Sequence, residues 1–171
     1  GTSKLFGFNL MKNFAFPYFS RDISEFWRRW HISLSTWFRD YLYIPLGGSH
    51  GATSMKIRNT IIIFVVSGFW HGANWTFIVW GALNAIYFLP LLLTNKNRTH
   101  TSSIIAADTL FPNLKELLSV SLTFTLTLFA WIFFRANSIS QALKFIKGIF
   151  TSNFKIERIN LERFSFEIIP L

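Results

Sequence analysis

The sequence contains no cysteine and little charge, and both absences exclude some classes of protein and of functional site. Without Cys among its 171 residues, this stretch has no disulfide, no thiolate metal site and no cysteine nucleophile. Only 15% of residues are charged, whereas 51% are hydrophobic and 19% are aromatic. This composition predicts a membrane protein, although an unusually apolar soluble domain has the same composition.

The few charges are mostly basic, and their placement favours a membrane over a nucleic acid as the partner. The net charge is +9, and Lys and Arg lie in the segments that flank the apolar runs. An RNA-binding protein would interleave basic and aromatic residues on a polar fold, which leaves long apolar runs unexplained. We therefore expect contact with membrane lipid and none with nucleic acid.

The segment 20–44 has the pattern of an amphipathic helix. Asp22 can cap its start, with Glu25 in the capping-box position. Apolar side chains then recur at helical spacing, with Glu25, Arg28 and Arg39 on the opposite side. We predict one interfacial helix whose Trp-rich side faces lipid or protein, with His31 at the border of its apolar face.

A second segment, 58–93, contains the longest uncharged run. The 34 residues from Thr60 to Leu93 include no Asp, Glu, Lys or Arg, which is too long for one crossing of about 20 residues. Small residues surround His71 in the stretch 68–74, where we predict a break between two helices. Gly68 and Gly72 are spaced to let another helix approach closely.

The remaining segments complete an all-α prediction. A polar connection, 94–116, precedes an 18-residue uncharged run at 117–134, which we predict to be a transmembrane helix. Residues 138–150 have the pattern of a surface helix. The chain starts at Gly1 without an initiator Met and stops as another apolar stretch begins, so we expect a fragment, 1–171, of one membrane domain.

Two histidines are the candidate reactive groups. An ionisable side chain inside an apolar segment is costly and usually faces a protein interior or a watery cavity, which points to a functional His71. The alternative for His71 is a neutral ring that only packs between helices. His31 has the alternative of an ordinary border residue, and His50 and His100 are interpreted as loop residues. No spacing predicts a metal site.

Longer motifs then resemble a known family. The sequences EFWRRWHISLSTWFRDYLYIPLGGS (25–49), RNTIIIFVVSGFWHGANWTFIVWG (58–81) and WIFFRANSISQAL (131–143) are similar to the membrane-bound O-acyltransferases. The similarity is greatest to the bacterial branch that includes alginate O-acetylation proteins. It is weaker to teichoic-acid D-alanyl transfer proteins. The resemblance extends over most of residues 8–145.

The resemblance implies a polytopic helical core in the bacterial inner membrane, with His71 as the embedded catalytic histidine and His31 as the second active-site histidine. It implies an O-acyltransferase that acetylates an extracellular polysaccharide such as alginate. No bound cofactor is expected. The acyl donor would be acetyl-CoA or an acyl-carrier thioester, and the partner would be the polysaccharide itself or a periplasmic acetyltransferase.

Acyl transfer needs a base for the acceptor hydroxyl and donors for the developing oxyanion. His71 can supply the base because an imidazole exchanges protons near neutral pH. His31 could orient the acceptor or the donor. Asn74 is a candidate oxyanion donor, with helix packing as its alternative. D-alanyl transfer, acylation of a protein or lipid, and a channel or transporter in which His71 lines the path remain competing functions.

Overall fold

A computed structural model of the chain describes residues 2–101, 105–106 and 110–151, and the regular secondary structure of this part is helical, without strands. The α-helices are α1 (Thr2–Leu5), α2 (Ile23–Arg29), α3 (Ile32–Phe38), α4 (Thr53–His71), α5 (Trp75–Leu93), α6 (Leu114–Arg135) and α7 (Ile139–Thr151). A short 3-10 turn, Pro17–Phe19, precedes α2, and a π-helical turn, Arg39–Tyr43, follows α3. The all-α prediction is confirmed for the described residues.

The single helix predicted for 20–44 is wrong, because the structure divides it at Trp30 and His31. Trp30 is extended, with φ −100° and ψ 127°, and His31 is left-handed, with φ 44° and ψ 56°. The apolar spacing predicted helix on both sides of this point but contained no signal for the kink, since neither Gly nor Pro marks it. The predicted cap is present: the Asp22 carboxylate accepts the Glu25 N–H at 2.7 Å.

The predicted polar side of this segment is wrong for Glu25 and Arg28, whereas Arg39 is exposed as predicted. Glu25 is only 1% exposed, and its carboxylate accepts hydrogen bonds from Arg21 and from Arg29. Arg28 is half-buried and donates to the backbone carbonyls of Asn97 and His100, at 2.9 and 3.1 Å. These charges are therefore satisfied inside the protein, which the helical period alone does not reveal.

Helices α4 and α5 form an antiparallel hairpin through the predicted break, which the structure places between His71 and Trp75. Two glycines let the backbones touch. A Cβ at Gly68 would lie 2.3 Å from the Phe77 carbonyl oxygen, and a Cβ at Gly81 would lie 2.3 Å from that of Phe64. Gly68 has the predicted packing role, but its counterpart is Gly81 across the hairpin.

Helix α6 starts three residues before the predicted run because Asn113 and Glu116 form a capping box at its first turn. Both α5 and α6 are long and apolar enough to cross a membrane, by length and composition. Helix α7 follows as expected for 138–150 and packs on α6. The core joins α5, α6 and α7 through Trp80, Ala130, Phe133 and Ala142.

Candidate active site

A cavity of about 360 Å³ lies between the divided segment α2–α3 and the helices α4, α5 and α6. Both candidate histidines line it, and most of its other lining side chains are aromatic or aliphatic. Its lining includes Trp27, His31, Thr60, Phe64, Ser67, His71, Trp80 and Phe134. This volume falls in the range typical of small-molecule sites, about 300–1,000 Å³.

One face of α4 forms part of the cavity wall and contributes three polar side chains to it. Thr60, Phe64, Ser67 and His71 all line it, at intervals of four, three and four residues. This spacing returns to the same side of a helix. The sequence analysis missed Thr60 and Ser67, although their helical spacing to His71 within an uncharged run was a readable signal.

His71 ends α4 with its ring among aromatic side chains. Its centroid lies 5.0 Å from that of Phe134, 5.3 Å from Trp80 and 6.2 Å from Phe77. The Phe134 and Trp80 rings stand nearly perpendicular to the imidazole. The ring is thus oriented by packing, and no hydrogen bond to its nitrogens occurs within the described part of the chain.

His31 enters the cavity from the kink between α2 and α3. Its left-handed backbone is a conformation that costs a residue with a Cβ about 1–2 kcal/mol. Its Nδ1 atom is buried and has no hydrogen-bond partner among the described residues. A strained backbone together with an unsatisfied ring nitrogen is typical of a functional position rather than of a packing residue.

Trp27 is a second cavity residue with an unsatisfied polar atom. Its indole Nε1–H is buried and lacks an acceptor in the part of the chain that the structure describes. The indole ring contacts Phe64 and Trp80, at centroid distances of 5.4 and 5.8 Å. Trp80 in turn contacts His71. Because an indole N–H can only donate, Trp27 is suited to an acceptor oxygen.

The charged side chains that line the cavity are Arg39 and Arg98, whereas Glu25 and its arginine partners support α2. Burial alone would raise the pKa of Glu25, but its hydrogen bonds with Arg21 and the positive charges of Arg21 and Arg29 outweigh burial and lower it. Arg21 also lies 3.5 Å from Glu116 of α6. This ionised cluster ties α2 to α6 without placing a carboxylate in the cavity lining.

The other predicted residues lie outside the cavity lining. The Asn74 side chain accepts the Thr76 N–H at 3.1 Å as the cap of α5 and donates to the Asn137 carbonyl at 3.0 Å. The structure therefore favours the packing alternative for Asn74 over the oxyanion role. His50 is exposed, as expected for a loop. His100 is half-buried, with its Nε2 3.9 Å from the Asp22 carboxylate.

The arrangement therefore combines two imidazoles with the buried indole N–H of Trp27, which has no acceptor among the described residues, in a largely aromatic cavity. His31 and His71 line the same cavity. An imidazole can take a proton from a hydroxyl, while a second imidazole and an indole N–H can donate to developing negative charge. These are the groups that proton transfer at a carbonyl centre requires.

Comparison with known proteins agrees with this chemistry. The profile of MBOAT, the membrane-bound O-acyltransferase family, matches residues 2–103. A probable alginate O-acetylase of Azotobacter vinelandii is 42% identical over 151 residues, which cover 88% of this chain and 28% of that protein. A peptidoglycan O-acetyltransferase of Helicobacter pylori is 40% identical over 149 residues, covering 87% of this chain and 27% of that protein.

A third relative represents different acyl chemistry. A teichoic acid D-alanyltransferase of Streptococcus thermophilus is 43% identical over 91 residues, which cover 49% of this chain and 22% of that protein. The chain thus spans under a third of the length of these three relatives.

Proposed function

Since the chain belongs to the membrane-bound O-acyltransferase family, we propose that the full-length protein transfers an acetyl group to hydroxyls destined for an extracellular polysaccharide. The observation that carries the proposal is the meeting of His31 and His71 in one cavity, although 40 residues separate them in the chain. The names of the alginate and peptidoglycan relatives support a polysaccharide as the final acceptor.

His71 is the proposed general base. As the acceptor hydroxyl oxygen forms a bond to the thioester carbonyl carbon, the imidazole takes the hydroxyl proton. The tetrahedral oxyanion then collapses, the carbon–sulfur bond breaks, and the imidazolium returns the proton to the leaving thiolate. The ester and the free thiol are the products, and the base is regenerated.

His31 and Trp27 are proposed to stabilise the reacting oxygens. Both have a buried nitrogen without a partner in the described ranges, and both line the cavity beside the base. A donor aimed at an oxyanion in a water-poor site typically contributes about 10²–10³-fold to the rate. Asn74 is not part of this proposal, because its amide is engaged at the start of α5.

The proposed donor is acetyl-CoA or an acyl-carrier thioester, used as a co-substrate and not as a resident cofactor. The proposed setting is a polytopic helical domain in the bacterial inner membrane, of which this chain forms part of the core. Helices α5 and α6 supply two candidate spans toward it. The acceptor is either the polysaccharide or a periplasmic acetyltransferase that passes the group onward.

D-alanyl transfer is the second candidate reaction. It rests on the teichoic acid relatives, which match about half of this chain, compared with 88% for the alginate relative. The same base and the same donors would serve either acyl group. Supplying labelled acetyl and D-alanyl groups separately therefore distinguishes the two reactions.

The test compares His71→Ala and His50→Ala in the full-length protein. Membranes receive acetyl-CoA, or a D-alanyl thioester of a carrier protein, labelled in the acyl group, and ester-bound label on polysaccharide and protein is counted. His71→Ala should lose about 10²- to 10⁴-fold in transfer rate, because no other base is available in the uncharged run. His50 is exposed and outside the cavity, so His50→Ala should match the parent.

Both variants must reach parental abundance in the membrane. Transfer by His71→Ala at the parental rate would refute the catalytic assignment. Parental membranes that esterify neither group would favour the channel or transporter alternative instead.

A further inference from the structure

We propose that Asn13 is a positioning residue for His31, holding the kink that directs this imidazole into the cavity. The inference rests on the proposed acyl-transfer function and adds a residue that lies outside the cavity lining. Asn13 belongs to the segment without regular secondary structure that precedes the 3-10 turn, 18 residues before His31 in the chain.

The start of α3 requires an external cap. The first amide groups of a helix have no partner within it, and a side chain at the preceding residue usually supplies one. Here that preceding residue is His31, whose side chain makes no capping hydrogen bond. The sequence around His31 thus leaves the amides of Ile32 and Ser33 in need of acceptors.

Asn13 supplies these acceptors from a distance. Its backbone carbonyl accepts the Ile32 N–H at 2.9 Å. Its Oδ1 atom accepts the Ser33 N–H at 2.9 Å and also the Ser33 hydroxyl. An amide N–H can only donate, so the atom of Asn13 that faces Ser33 must be the oxygen.

Further backbone bonds close the other side of the kink. The Trp30 N–H donates to the Phe26 carbonyl at 2.9 Å and ends α2, and the Ala15 N–H donates to the Arg29 carbonyl at 3.0 Å. His31 is therefore left-handed between two anchored ends. Without the Asn13 amide oxygen, the Ser33 N–H loses its partner, and the residues on either side favour a continuous helix that turns the His31 ring away.

Ring position matters because transfer depends on groups held within hydrogen-bond reach of the reacting atoms. A displacement of about 1 Å at such a group can cost about 10²-fold in rate. Asn13 does not reach the reacting atoms, so its loss should lower kcat and leave donor binding in place.

The experiment measures steady-state acetyl transfer by membranes that contain the full-length protein, with labelled acetyl-CoA as the probe. Asn13→Ala should lower kcat by about 10- to 100-fold with little change in the KM for acetyl-CoA. Asn13→Asp keeps an acceptor oxygen at the same distance from the backbone and should restore most of kcat. Asn9→Ala, at an exposed position of the same segment, should match the parent.

A second comparison separates positioning from general support of the fold. In a His31→Ala background, adding Asn13→Ala should cause no further loss, because the ring that Asn13 positions is already absent. If Asn13→Ala accumulates poorly, Asn13→Gln replaces it, since the extra methylene misplaces the oxygen while keeping an amide. It should show the same loss in kcat.

Parental kcat in Asn13→Ala or Asn13→Gln, or a further loss in the His31→Ala background, would overturn the inference alone. Absence of ester transfer by the parental membranes would instead refute the proposed function, and the inference with it.

Discussion

Replacing Gly68 by Ala tests whether backbone contact between α4 and α5 sets the geometry of the cavity. The new methyl carbon would lie 2.3 Å from the Phe77 carbonyl oxygen. Carbon–oxygen contacts do not normally fall below about 3.3 Å, so the helices must separate by about 1 Å at this point. The obstacle is backbone, which cannot move aside as a flexible side chain would.

The separation should affect stability and rate together. Forcing an extra methyl group into a tightly packed contact costs about 1–3 kcal/mol. His71 is three residues beyond Gly68 on the same helix, so a shift of about 1 Å there should lower transfer by about 10²-fold. The unfolding midpoint of the detergent-solubilised full-length protein and its acetyl-transfer rate measure these two effects.

Gly81→Ala and the double variant test the same contact between α4 and α5. Gly81→Ala should behave similarly, because its added Cβ would lie 2.3 Å from the Phe64 carbonyl oxygen. The double variant should lose less than the sum of the single losses, since the first methyl already separates the helices. Gly148→Ala, whose added Cβ would meet no described atom within 4 Å, is the control. Parental stability and rate in Gly68→Ala would refute the close-contact argument.

Three further predictions concern other residues. The folded-state pKa of Glu25 is lowered, so its contribution to stability is present above the ordinary value of 4.5 and is lost as pH falls through the folded value. Glu25→Gln should thus lower the unfolding midpoint at neutral pH, with the deficit narrowing in acid; a constant deficit would contradict the assignment. Asn74→Ala should lose a helix cap, about 1 kcal/mol of stability, but keep the parental transfer rate, and a catalytic loss without a stability change would restore its oxyanion role. Trp27→Phe keeps an aromatic ring but removes the indole donor, so kcat should fall by about 10²–10³-fold. Trp75→Phe, at an exposed position outside the cavity lining, should keep the parental rate. Equal rates in both variants would exclude the donor role.

The sequence predicted the helices where composition decides the outcome. The break after His71 and the helix over 117–134 follow from the length of the uncharged runs, because a membrane or an apolar core limits how long a single helix can be. His71 itself stands out because it is the only group in its run that exchanges protons near neutral pH. The structure then places His31 beside it in the cavity lining, which the family motifs had indicated but helical spacing had not.

Long-range polar bonds explain what the sequence could not predict. The kink at His31 depends on an acceptor from Asn13, and the burial of Arg28 depends on the backbone carbonyls of Asn97 and His100. Both features bring polar residues of a helical pattern into the interior. A periodic pattern records which residues are apolar, but it contains no information about a partner supplied from elsewhere in the chain.

The hydrogen bonds of Arg28 to the loop after α5 restrain how far α2 can move away from that loop. From His31 the chain runs through α3 and α4 to His71, then through α5 to Asn97, whose carbonyl Arg28 binds three residues before His31. The two histidines thus lie in a loop of chain that is closed by the hydrogen bonds of Arg28 and Ser24 to the Asn97 carbonyl. Any motion that draws α2 away from the end of α5 must therefore break these bonds.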